Sequence, residues 1–157
     1  MGGTAMKHIT AIATAMLVVT SPAGAAPVRP AVEHFGRPAL NGQPLPFSDA
    51  VRVGDVLYLS GQLGVTADGK LPDGIEAQTR QALDNVGAVL KRAGAGYADV
   101  FHCTAMLSDM KNWPAFNTVY VTYFVARKLP ARSAFGASGL ARGGLIELEC
   151  QAYAGKK

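Results

Sequence analysis

Apolar positions along this chain recur with different periods, and the periods divide it. From Ala26 to Pro46 there is no apolar period, and Pro27, Pro30, Pro38, Pro44 and Pro46 mark an extended lead-in. Two β-rich segments follow, Ala50–Val53 and Val56–Ser60, split by Gly54-Asp55, which has the composition of a tight hairpin turn. Asp73 and Glu76 stand at capping-box spacing ahead of Ile75, Thr79, Ala82, Val86, Val89 and Leu90, which recur every three or four residues. That spacing predicts a helix with Asp73 as its N-cap, ending at Gly94 behind Lys91-Arg92. Asp99–Leu107 alternates as a strand, with Phe101, Cys103, Ala105 and Leu107 on one face and His102, Thr104 and Met106 on the other. A second helix is capped within Asp109–Asn112 and carries an aromatic stripe, Trp113, Phe116, Tyr120, Tyr123 and Phe124, that reads as core. It ends before Leu129-Pro130, and Arg132–Phe135 and Leu145–Ala154 complete a ββαβαββ order. The expected architecture is α+β, a mixed sheet with two helices on one face.

The last strand places Ile146, Leu148, Cys150 and Ala152 under the helices and turns Glu147, Glu149, Gln151 and Tyr153 the other way. With His102, Thr104 and Met106, this makes a mixed, charge-poor surface suited to partial burial against a second subunit. Cys103 and Cys150 both fall in apolar strand patterns; buried free thiols and a single bridge between neighbouring strands are both compatible with that.

Residues 1–25 have a different character. Lys7 is their only charge, Ile9–Val19 is apolar, and Ala23-Gly24-Ala25-Ala26 supplies an A-x-A site, the layout of a secretory signal cleaved after Ala25. The apolar stretch is too short to span a bilayer as a helix, so no membrane association is expected after cleavage. Met6-Lys7 would make a tighter start than Met1. The reading is therefore a signal at 1–25, a lead-in at 26–44 and a domain at 45–157, periplasmic or secreted. Hydrophobic residues make up 49% of the sequence and charged ones 17%, which supports one domain with a full core and excludes disorder. The formal charge of +4 becomes +3 without Lys7; it is scattered and forms no stripe that would track a nucleic-acid backbone. His34 and His102 have no partners at metal-ligand spacing, so no metal is expected. Ser60-Gly61-Gln62-Leu63-Gly64 is not a nucleophile elbow, and Gly136–Gly144 lacks the strand-to-helix context of a dinucleotide loop.

Four motifs go further: Pro46-Phe47-Ser48-Asp49-Ala50-Val51, Leu57-Tyr58-Leu59-Ser60-Gly61-Gln62, Leu129-Pro130-Ala131-Arg132-Ser133 and Ile146-Glu147-Leu148-Glu149. In this order, across residues 44 to 156, they resemble the RidA/YjgF family of enamine and imine deaminases. The resemblance implies a chorismate-mutase-like homotrimer with clefts at subunit boundaries, hydrolysing 2-imino acids or their enamines to 2-keto acids and ammonia without a cofactor. It implies that Arg132 clamps the substrate carboxylate, a role its planar fork suits, and that Glu147 positions water or shuttles protons. Phe47, Ser60, Gly61, Asn117 and Ala134 would line the site, with backbone groups near Gly61 and Ala134 around the developing charge. Glu149 is read as solvated or interfacial. Phe47 stands where many members have tyrosine, and Ala134 where some have cysteine. A noncatalytic module binding small carboxylates in the same clefts is the alternative.

Overall fold

The computed structural model describes Gly2, residues 29–37 and residues 45–155; the rest of the signal-like segment and residues 38–44 lie outside the described residues. The strands are β1 (Val32–Phe35), β2 (Ala50–Val53), β3 (Val56–Leu59), β4 (Gln62–Leu63), β5 (Val100–Leu107), β6 (Ala131–Gly136) and β7 (Ile146–Tyr153); the α-helices are α1 (Ile75–Arg92) and α2 (Trp113–Tyr120). They form one sheet in the order β1-β2-β3-β7-β5-β6, with β4 also paired to β7. Every pairing is antiparallel except β5 with β6. The α+β mixed sheet with two helices on one face is as expected.

Four local readings change, the first being α2, which ends at Tyr120 and passes into a short 3-10 turn at Val121–Tyr123 rather than running on toward Leu129. Residues 32–35, placed in the lead-in, are an edge strand paired with β2. The α1 N-cap is Gly74 at φ 79°, with no side-chain cap, so Asp73 does not cap the helix. A left-handed residue at that point turns the chain into the helix, a conformation glycine adopts cheaply. At the other end Gly94, at φ 75°, closes the helix as the spacing implied. Phe101 is exposed because a register shift between Val100 and His102 puts Val100 in the core instead. Of the two arrangements open to Cys103 and Cys150, the structure has the disulfide. They stand directly opposite each other on β5 and β7, and the core encloses both.

Leu83, Val86 and Leu90 of α1 and Phe116 of α2 pack with Leu57, Cys103, Ala105, Leu107, Leu148 and Cys150 of the sheet, all fully or almost fully buried. Removing this apolar area from water is what holds the layers together. The opposite face carries no helix. Val53, Tyr58, Phe135 and Tyr153 lie on it, each well exposed, alongside Thr104, Met106, Glu147 and Glu149. Among the described residues no helix is long and apolar enough to cross a membrane, and no group of three or more His, Cys, Asp or Glu could hold a metal ion.

Candidate functional site

The register separates the expected site residues into two sets. Arg132 pairs with Cys103 and Ala134 with Ala105, which puts both on the helix-bearing face of edge strand β6. There the Arg132 guanidinium lies 4.4 Å from the Tyr120 ring centroid, 4.6 Å from Trp113 and 5.2 Å from Phe116. Residues 113, 116, 117 and 120 share one side of α2 by helical spacing, so the stripe read as core also makes an aromatic seat for the cation. Asn117 belongs to the same seat: Arg132 Nη2 donates to its Oδ1 at 2.8 Å. Burial lowers the Arg132 pKa from its ordinary value, though an arginine stays charged at neutral pH. The Tyr120 hydroxyl is buried without a partner, and burial raises its pKa to about 12. A cation with unspent N–H donors beside an uncommitted hydroxyl is a seat for a planar oxyanion.

Glu147 stands on the opposite, helix-free face of β7, in register with Met106 on one side and Leu63 on the other. Its carboxylate lies against Gly61: a Cβ there would overlap Glu147 Oε1 and come within 2.9 Å of Cδ. A side chain at 61 would therefore push the Glu147 carboxylate out of this position. Burial first, then the charge of Glu149, hold the Glu147 carboxyl above its ordinary pKa, a tuning that suits a group exchanging protons. Ser60 fixes the neighbouring loop. Its hydroxyl donates to Ser48 O at 2.7 Å and its N–H to Asp49 O at 2.9 Å, so this serine acts through the Phe47–Asp49 segment. Phe47 is exposed and, with Gly61, lines a cleft of about 560 Å³.

One protomer therefore unites Arg132, Asn117 and Ala134 on the helix-bearing face and sets Glu147 against Gly61 from the opposite face, while Phe47 and Gly61 line the cleft beside α1 and Ser60 ties down the segment between them; it does not bring Arg132 to Glu147. The sequence reading passed over Asp49, whose side chain is wholly buried and binds two arginines. A carboxylate inside the Pro46–Val51 motif, directly ahead of the apolar strand residues Ala50 and Val51, was the signal available for it.

These features define an α+β domain with an oxyanion seat and a tuned carboxylate on opposite faces of one sheet. The family model described as Endoribonuclease L-PSP matches residues 41–154, and the chain belongs to this family, the RidA/YjgF proteins. It is 41% identical over 112 residues to the 2-iminobutanoate/2-iminopropanoate deaminase of Capra hircus, covering 70% of this chain and 81% of the relative. The protein of the same name from Bos taurus is 38% identical over 130 residues, covering 82% of this chain and 92% of the relative. Among solved structures, the Rid-family protein YyfA of Yersinia pestis superposes with a TM-score of 0.72 at 34% identity, over 78% of this chain and 99% of its own. The YjgF product of E. coli gives 0.66 at 32% identity, over 69% of this chain and 87% of its own.

Proposed function

We propose that this chain hydrolyses reactive 2-imino acids, or the enamines in equilibrium with them, to 2-keto acids and ammonia, in clefts between subunits of a homotrimer. The observation that carries the reading is the division of the oxyanion seat and the carboxylate between opposite faces of one sheet. A cleft that uses both has to take the Arg132 seat from one subunit and Glu147 from the next. The exposed Tyr58, Phe135 and Tyr153 on the helix-free face support such an assembly, and the deaminase relatives support the chemistry.

In the reaction, Arg132 holds the substrate carboxylate in a fork with Asn117 behind it, and the imine carbon faces Glu147. Water adds to that carbon while Glu147 takes one of its protons and passes it to the imine nitrogen, giving a carbinolamine; Glu147 then moves the hydroxyl proton to the same nitrogen, so that the C–N bond breaks as the C=O bond forms and ammonia leaves. Alignment of water with an already electrophilic carbon supplies most of what the reaction needs, and the chain's own residues supply that alignment. Phe47 gives an apolar wall where a tyrosine would offer a hydroxyl, which favours substrates with apolar side chains.

The reading also places the mature protein outside the cytoplasm, beginning near Ala26. The buried disulfide supports this, because such bonds persist in oxidising compartments. The imine would then come from an amino-acid-oxidising reaction in the same compartment. The test generates imines from several amino acids with an amino-acid oxidase and traps them as semicarbazones. An active protein suppresses trapping and releases ammonia; no suppression across the panel leaves only a carboxylate-binding module.

A further inference from the structure

The 560 Å³ cleft runs along α1, away from the Arg132 seat, and its charge is one-sided. Arg37, Arg92 and Arg142 line it together with Gln81, and no acidic side chain among the described residues does. Two of these arginines are held in place from beneath. Arg37 Nε donates to both Asp49 carboxylate oxygens at 3.1 Å and its Nη2 to Oδ1 at 2.8 Å, while Arg92 Nη2 donates to Oδ2 at 2.6 Å. Asp49 is wholly buried, whereas the two arginine side chains are about two-fifths exposed. One carboxylate against two guanidinium groups leaves a net positive charge, and both arginines keep N–H donors for which the described residues supply no acceptor. Arg142 adds a third cation. It sits at φ 60°, a conformation unusual for a side-chain-bearing residue, with Nη2 donating to Gly69 O at 2.5 Å. Phe47, Val65 and Ala88 give the same cleft apolar walls.

We propose that this cleft binds a small organic anion with an apolar body, of the aryl or branched-chain carboxylate class, as a site separate from the Arg132 seat. The buried carboxylate is the main reason. It fixes two long side chains before any ligand arrives, so binding does not have to order them, which is where mobile surface arginines lose affinity. Planar guanidinium groups then meet a planar carboxylate, and the apolar walls take the ligand's body out of water. Because Gly61 both lines this cleft and abuts the Glu147 carboxylate, an occupant would brace the segment beside that carboxylate.

The test is calorimetric titration of the oxidised full-length protein with phenylacetate, and with phenylacetamide as its neutral counterpart. Wild type should show saturable binding, and Arg132→Ala, which removes the carboxylate seat on β6, should retain one saturable site per chain. Arg142→Gln, which leaves the Asp49 cluster untouched, and Arg92→Lys, which keeps the charge but loses the fork, should each weaken it about tenfold or more. Phenylacetamide should bind at least about tenfold less well, for want of charge-assisted contacts. Thermal melts establish that each variant is folded, and Arg142→Gln decides the matter if Arg92→Lys is not. Absence of saturable binding, loss in Arg132→Ala alone, or equal affinity for acid and amide would each overturn the proposal. Imine deamination is scored separately, so a protein that binds phenylacetate through Arg142 and deaminates nothing upholds this site while refuting the proposed activity.

Discussion

If each working cleft takes Arg132 from one subunit and Glu147 from its neighbour, two inactive variants should restore each other. Arg132→Ala removes a charge-assisted contact worth about 1.5–3 kcal/mol, a loss of about 10- to 150-fold, with more in rate because an unclamped imine is also misaligned. Glu147→Gln keeps the shape but not the basicity and should lower turnover by about 10²–10⁴, with modest change in affinity for a 2-keto acid product. In a mixed trimer of the two variants, whichever variant is in the majority, about one cleft in three joins an intact Arg132 to an intact Glu147 across a boundary. Co-expression with two affinity tags and sequential purification gives the mixed trimers. Their turnover, measured by semicarbazone competition, should approach that fraction of wild type, well above the mean of the parents. Recovery no better than that mean, in particles shown by light scattering to be mixed trimers, would mean that one chain supplies both groups. A stable monomer at micromolar concentration would refute the assembly itself. Arg132→Lys belongs in the same series and should rescue little, since the aromatic seat and Asn117 orient a planar fork that lysine lacks.

Four other outcomes follow from the same geometry. Gly61→Ala should reduce turnover much as Glu147→Gln does, yet change stability by only about 0.5 kcal/mol, because the displaced atoms are the free end of a flexible carboxylate; Gly64→Ala, whose Cβ meets the Gln78 backbone 2.8 Å away, should instead cost about 1–3 kcal/mol in denaturant unfolding. Glu149→Gln should leave neutral-pH turnover unchanged but shift the acid limb of the rate profile to lower pH: removing a neighbouring negative charge lowers the Glu147 pKa, so Glu147 stays ionised further into acid, and an unmoved limb would contradict the coupling. Replacing both Cys103 and Cys150 by alanine opens a 47-residue separation and should cost about 4 kcal/mol on the chain-entropy estimate, read by denaturant unfolding against the oxidised wild type. Intact mass of the native protein should correspond to a chain beginning near Ala26, and a cytosolic chain that retains Lys7 would contradict export.

The sequence made the longer elements legible because each buries one face over many residues, so its period repeats. Strand β1, four residues among prolines, is too short to show a period, and β4 is two residues set by pairing with β7. Phe101 was assigned inward by strict alternation, which a bulge breaks without any mark in composition. The Cys103–Cys150 bond depends on a register between segments 47 residues apart, which neither strand's pattern contains. Among the site residues, the motif reading gathered Arg132 and Glu147 into one site at a subunit boundary. Their faces needed the sheet: the Arg132 to Phe135 run alternates with arginine and alanine inward and serine and phenylalanine outward, the reverse of what polarity alone would assign. What reverses it is α2, whose aromatic faces and Asn117 satisfy a guanidinium that a plain apolar core would reject.

That inversion explains why the arginine half of the site is built as it is. Strand β6 is an edge strand joined to the sheet through β5 alone, so the position of Arg132 rests on how well β5 is held. On its other side β5 is bonded covalently to β7 at Cys103, the residue in register with Arg132. The guanidinium is then confined from above by three rings of α2 and laterally by Asn117. An arginine on a free edge strand would give up rotamer freedom whenever it bound a carboxylate, whereas one held by stacking and a hydrogen bond has already lost it. For a reaction whose substrate is electrophilic without activation, the protein's task is placement. In the proposed mechanism the disulfide, the aromatic seat and the close approach of Gly61 to Glu147 all serve that task.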